Sequence, residues 1–253
     1  YFAAFTFFML PHGLLGVSIA TTFQPEMARA VAERSKERFL DAASLGIRMT
    51  ALLTIPAGVG LVVLRRPIIA ATLQYRNYTE EDVLLAARAL AGLALGLGAF
   101  SIYLFVLRTF SAHQDTKTAF KENVVENAIN IVLGIALVGT FGVRGLGAAF
   151  AIAYVLSAVW VMQILSYKVP GFPLRAVFAS LFRIVVASAL MGESVWFITR
   201  NVGDNDGAGA FGRIIVGTVV GIAVYAALLT TMQAPELDAL RRRLPGRART
   251  PAE

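Results

Sequence analysis

The chain has 253 residues, 57% of them hydrophobic and only 15% charged, against roughly 25% charged in soluble domains. It holds no cysteine and two histidines, His12 and His113, which excludes disulfides, thiolate chemistry and multi-His metal sites. A net charge of +7 would point to nucleic acid in a soluble protein. With a mean hydropathy of +0.67 it reads instead as a membrane protein whose basic residues sit in loops, and no nucleic-acid partner is expected.

Apolar stretches at 1–23, 45–64, 83–111, 119–140, 143–165, 176–199 and 210–232 are each long enough to cross a bilayer, whose core of roughly 30 Å takes about 20 helical residues. Runs such as Ile214–Ala227 do not alternate in polarity, so helices rather than barrel strands must satisfy the backbone in lipid. The expected fold is an all-α integral membrane protein of about seven transmembrane helices.

The first span opens inside an apolar run, which suggests a piece of a longer membrane protein cut within a helix. Pro11 is expected to break this span just before His12 and Gly13, because proline removes a backbone donor and bends a helix. Such a kink suits a helix that moves or lines a cavity, where His12 either titrates or makes an interhelical hydrogen bond. Pro25 is read as marking the end of the first helix and Pro56 the middle of the second. Glu33 to Asp41 reads as a short interfacial helix. Arg48 and Arg183 stand just inside the second and sixth spans as snorkelling anchors. Thr79-Glu80-Glu81-Asp82 is a helix start, a threonine cap followed by acids near the positive end of the dipole. Gly92 with Gly96, and Gly217 with Gly221, permit close helix contact. Arg108, near the end of the third span, either holds an anionic headgroup in a cavity or snorkels to the interface.

The fourth span carries the densest polar group: Lys121, Glu122, Asn123, Glu126, Asn127 and Asn130. Glu122, Glu126 and Asn130 are spaced by four and share one helical face. Ionisable groups in a membrane are costly and tend to mark pathways, so this face is expected to meet protein or water. It reads either as a cation or proton site or as a set of interhelical hydrogen bonds. Gly142 and Gly145 bracket a short hairpin that makes spans four and five antiparallel neighbours. Glu193, deeper in the sixth span, is a candidate for a polar groove. Asn201 to Gly209 is a turn-rich loop, and the tail from Arg241 to Glu253 reads as disordered near anionic headgroups. No paired carboxylates with a base, nucleophile elbow, phosphate loop or HExxH occurs, so no enzyme is expected.

Alternate sides of the spans carry unequal charge. One has Arg29, Arg34, Lys36, Arg38, Lys117, Lys121, Lys168, Arg175 and five tail arginines. The other has Arg65, Arg66, Arg76, Arg144 and Arg200. The positive-inside rule puts the richer side, with the C-terminus, in the cytoplasm.

Two segments resemble motifs of the MurJ/MviN lipid II flippase family: Leu10-Pro11-His12-Gly13-Leu14-Leu15-Gly16-Val17-Ser18-Ile19-Ala20-Thr21, followed by Pro25 and Arg29, and Arg108-Thr109-Phe110-Ser111-Ala112-His113-Gln114-Asp115-Thr116-Lys117-Thr118. Between them, Gly46-Ile47-Arg48, Pro56, a Gln74-Tyr75 turn and the acidic helix start keep the pattern. The likeness covers residues 1–165 well and the last two helices only in hydropathy. It implies the C-terminal lobe of a two-lobed MOP-superfamily exporter (1–165), two extra helices that take a lipid tail (166–233) and a basic cytoplasmic tail (234–253). The implied activity is movement of the undecaprenyl-linked peptidoglycan precursor across the bacterial cytoplasmic membrane by alternating access, together with an upstream lobe of the same protein. Arg108, His12 and Glu193 are then substrate-path candidates. Glu126, Asn130 and Asn127 are candidates for coupling to Na+ or H+, with no other cofactor. The family's arginine and glutamate before the Pro-x-Gly align here with Thr6 and Met9. The signature's closing proline is Ala119, and a second sodium ligand after Asn130 is Gly134. The alternatives are a sibling exporter of polysaccharide units or drugs, and a non-transporting scaffold for cell-wall synthesis.

Overall fold

Apolar segments that cannot share their backbone bonds with water close them internally, and every regular element among the described residues is helical. The computed structural model describes residues 1–73, 79–203, 205, 207–233 and 236. The Gln74-Tyr75 turn, Arg76 and the tail from Arg241 lie outside them, as do Asp204 and Asp206 of the turn-rich loop. The helices are α1 (Phe2–Pro11), α2 (Val17–Ala32), α3 (Lys36–Val63), α4 (Arg65–Leu73), α5 (Glu80–Leu95), α6 (Leu97–Ala112), α7 (Thr116–Phe141), α8 (Val143–Lys168), α9 (Leu174–Thr199) and α10 (Gly207–Thr231). Among the described residues there are six membrane-length apolar helices, or seven when the bent pair α5–α6 is taken as one span. The chain is a multi-pass membrane protein.

The structure corrects four expectations. Pro11 does not break the first span: the helix passes through a π turn at His12–Gly16 and continues as α2. The turn that follows the proline is wider than an α turn, and the helix runs on through it without a stop. Pro25 lies inside α2, which runs on to Ala32. Glu33 to Asp41 is not a separate interfacial helix, because Lys36 already opens α3, unbroken to Val63. The third span bends by 46° between α5 and α6. A Cβ at Gly96 would stand 2.9 Å from the Ala151 Cα, so the bend falls where α8 lies close against the helix.

The two larger of three apolar clusters among the described residues join most of the helices. One joins α2, α3, α6, α8 and α9 around Met27, Ile47, Phe105, Met162 and Leu165. The other joins α1, α4, α5, α6 and α8, with Phe8, Phe100, Phe150 and Tyr154 packed at centroid distances of 4.6–5.7 Å. Lipid supplies no hydrophobic drive between helices, so close backbone approach matters more. The expected glycine contact is present: a Cβ on Gly92 would sit 2.7 Å from the Gly147 Cα, bringing α5 against α8. Gly217 lies against Leu64 and Thr199, which lets α10 settle on α9 and the α3–α4 corner. Tyr225 pins α10 to α3 by donating its hydroxyl to the Leu52 carbonyl at 2.9 Å.

Antiparallel threading gives the bundle two ends. The elbow end holds α4 and the starts of α5, α8 and α10. The tail end holds the starts of α3, α7 and α9 and the finish of α10.

Candidate functional site

The α7 stripe is where the sequence places its costliest groups, and it faces protein. α7 packs on α8 and α6, and only Thr118 and Glu126 of its residues are buried. Glu126 is 1% exposed. Asn130, one turn on and half-buried, donates its amide to Glu126 Oε1 at 3.3 Å, and the Tyr154 hydroxyl of α8 lies within hydrogen-bond reach of the same carboxylate. Tyr103 of α6 is fully buried close by, near Asn123, with its hydroxyl lacking a well-formed hydrogen bond. A carboxylate, an amide and two phenol groups thus converge at mid-bundle on the α6–α7–α8 seam. Such a set can hold a proton or offer several oxygens to a monovalent cation.

The other stripe members do not join this seam. Asn127 is exposed and turns back to the Asn123 carbonyl at 2.8 Å and its side-chain oxygen at 3.2 Å. Glu122 is half-buried, with one carboxylate oxygen unpartnered and the Trp160 indole within reach of the group.

His12 is buried, and its Nδ1 lies 2.9 Å from the Ser101 hydroxyl of α6, with the ring edge-on to Phe100 at 4.7 Å. Gly16 makes this possible, because a Cβ there would come within 2.9 Å of the same Nδ1. The π turn therefore aims His12 into the α6 interface, in keeping with the expected interhelical bond. Arg108 is half-buried on α6, close enough for its charge to reach His12. The two substrate-path candidates share the seam between the π turn and α6. Glu193 does not: it is exposed on α9 beside Trp196 and Phe197.

At the tail end the signature motif proves to be a clamp. Asp115 caps α7, accepting from the Thr118 amide at 3.1 Å and the Thr118 hydroxyl at 2.8 Å, and Lys168 at the end of α8 reaches it at 2.5 Å. The lysine and the threonine hold its carboxyl down at about 2. The bland purpose of this motif, tying the α7 start to the α8 finish, is visible only once the two ends meet.

The sequence reading missed Glu236. Assigned to the tail, it folds back and is 1% exposed, accepting a hydrogen bond from Ser180 of α9 and facing Arg48 of α3 at 3.8 Å. Arg48 is therefore not a simple snorkelling anchor: it also donates to the Ser44 carbonyl at 3.2 Å and offers its charge to Glu236. The only signal in sequence is a pair of acids, Glu236 and Asp238, standing between the last span and the tail arginines.

Comparison with known proteins follows the same outline. A family model described as "Lipid II flippase MurJ" matches residues 1–217, so the likeness extends beyond residue 165 into α10. The probable lipid II flippase MurJ of Thermotoga maritima is 28% identical over 236 residues, which is 93% of this chain and 46% of that protein. Its counterpart in Vibrio cholerae is 30% identical over 190 residues, 75% of this chain and 33% of that protein. A solved structure of lipid II flippase MurJ in an inward closed conformation superposes with a TM-score of 0.75 at 25% identity, covering 90% of this chain and 45% of that one. The chain spans less than half the length of these relatives.

Proposed function

The chain belongs to the lipid II flippase MurJ family, and from that membership we propose that it works in moving the lipid-linked peptidoglycan precursor from the inner to the outer leaflet of the bacterial cytoplasmic membrane. It does so as one lobe, with the other lobe supplied by the part of the relatives that the chain does not span. The single observation that carries this reading is the match over residues 1–217, on a fold that superposes along nine-tenths of the chain. The charge asymmetry of the loops supports a cytoplasmic tail end and an outward elbow end.

The physical task is plain. A diphosphate-sugar headgroup cannot cross hydrocarbon unaided, whereas two lobes that rock about a hydrated cavity let it cross while its tail stays in lipid. Within this lobe, Arg108 and His12 on the seam between the π turn and α6 meet the headgroup. Glu126 and Asn130, backed by Tyr154, take up and release a proton or sodium ion, so that lobe movement follows the ion. The exposed amides Asn123 and Asn127 extend this polar face toward the water-filled route. Glu193, away from both seams, has no part in this scheme.

Rescue of a flippase-depleted strain by the full-length gene tests the reading: restored growth and precursor delivery are expected. Failure to rescue alongside restored export of another polymer would assign the protein to a sibling exporter. Growth support by a variant with the α7 stripe neutralised would favour the scaffold.

A further inference from the structure

The elbow end holds a feature that the transport scheme does not use. Arg65 and Arg66 of α4, Arg88 of α5 and Arg144 of α8 converge on one cleft of about 420 Å³, completed by Leu84, Ala87, Ala91 and Gly92. No acid lines it, and none of the four arginines forms an ion pair among the described residues. Glu80 and Glu81, in the first turn of α5, neither line the cleft nor pair with these arginines. Arg65 donates to the Val62 carbonyl, which supplies no charge. Burial and the neighbouring Arg66 push its pKa down, so a bound anion would relieve it.

The depth of Arg88 sharpens the case. It sits eight residues into α5, about 12 Å along the axis. A cation at that depth is costly against acyl chains, but not in a cleft that admits an anion. The neighbouring arginines differ. Arg213 is tied to the Val202 carbonyl at 2.8 Å and Asn205 at 2.6 Å, and Arg200 lies over the Trp196 and Phe197 rings at 5.4 and 5.0 Å. Those two are occupied by the protein itself, while in the cleft only Arg65 is tied, by one bond to the Val62 carbonyl, and Arg66, Arg88 and Arg144 are held by no hydrogen bond or ion pair among the described residues. Arginine forks match phosphate oxygens in a bidentate fashion, and the cleft's small floor of Ala87, Ala91 and Gly92 leaves room for a phosphodiester or diphosphate.

We propose that this cleft, formed by Arg65, Arg66, Arg88 and Arg144, binds the phosphate-bearing headgroup of a membrane lipid at the elbow end. It stands on the geometry of this lobe and does not depend on the transport reading. The phosphate comes either from a resident anionic phospholipid or from an undecaprenyl diphosphate head arriving on that side.

The test uses the full-length protein in phosphatidylcholine nanodiscs, titrated separately with phosphatidylglycerol and with undecaprenyl diphosphate, with retained lipid counted by native mass spectrometry. Saturable binding is expected, weakened about tenfold or more by the double substitution Arg65→Gln and Arg88→Gln. Arg88→Lys keeps the charge but loses the bidentate fork, so it binds more weakly than wild type and more tightly than Arg88→Gln, and Arg200→Gln, outside the cleft, leaves binding unchanged. Tighter binding of undecaprenyl diphosphate marks an exit subsite; tighter binding of phosphatidylglycerol marks a resident-lipid site. If neither lipid saturates, or if the double variant keeps its melting temperature and binds as wild type does, the proposal is overturned. A protein that binds phosphatidylglycerol through these arginines but delivers no precursor would leave the site standing and remove the transport reading.

Discussion

The two ends of the bundle treat charge in opposite ways. The three ion pairs among the described residues stand at the tail end: Lys168 meets Asp115, Arg48 faces Glu236, and Arg38 meets Glu33. At the elbow end four arginines share a cleft with no acid in its wall. Matched charges fix where helices begin and end. Unmatched ones at membrane depth are costly to keep, and their upkeep makes sense only if an outside anion completes them. The contrast separates residues that build the lobe from residues that work in it.

Removing a matched charge should therefore cost stability, and removing an unmatched one should not. The largest effect is expected at Glu236. Glu236→Ala strands Arg48, which is only 22% exposed, and unties the segment after α10 from α3 and α9. A loss of about 2 kcal/mol is expected, tempered by the water that still reaches the arginine. Thermal unfolding of the purified protein reads it directly. Unaltered unfolding would mean that the buried contact contributes nothing.

A smaller effect follows at Asp115. Asp115→Ala removes the α7 cap and the Lys168 contact, for about 1 kcal/mol. The carboxyl is held at about 2, below the unfolded value near 3.9. Its contribution is thus fully present above pH ~4 and fades as the pH falls through about 2. Melting temperatures measured down an acid series should converge for wild type and Asp115→Ala. A constant gap would show that the carboxylate's charge is irrelevant.

The smallest stability effect belongs to the elbow end. Arg88→Gln should stay within about 0.5 kcal/mol of wild type in a detergent free of phospholipid, since no partner is lost. A large destabilisation there would erase the distinction between the two ends. Glu193→Gln, exposed and remote from both polar seams, should change neither melting nor precursor delivery. A transport defect would restore it to the path.

Much of this was readable in the chain and some was not, for physical reasons. Length and apolarity suffice to place spans, because a bilayer demands about 20 residues whatever the fold. The Thr79 capping box and the Gly142 hairpin were readable because both are local. The α5–α6 bend was not, since Gly96 matters only through Ala151 on another helix. Nor was the continuity through Pro11, which depends on the π turn and on His12 finding Ser101. The four-residue spacing of Glu122, Glu126 and Asn130 gave the face correctly. Only packing could tell that Glu126 and Asn130 bond to each other while Asn127 turns back on Asn123. Glu236 and the arginine cleft draw on three or more elements each, and one-dimensional spacing carries no trace of such convergence.

The proposed role of the α6–α7–α8 seam is tested most directly by one substitution in the full-length protein. Glu126→Gln preserves shape and hydrogen bonding to Asn130 but cannot ionise. Precursor reaching the outer leaflet, measured as a function of pH and sodium concentration, should fall about tenfold or more and lose its ion dependence. Delivery at the wild-type rate with the ion response intact would contradict the account.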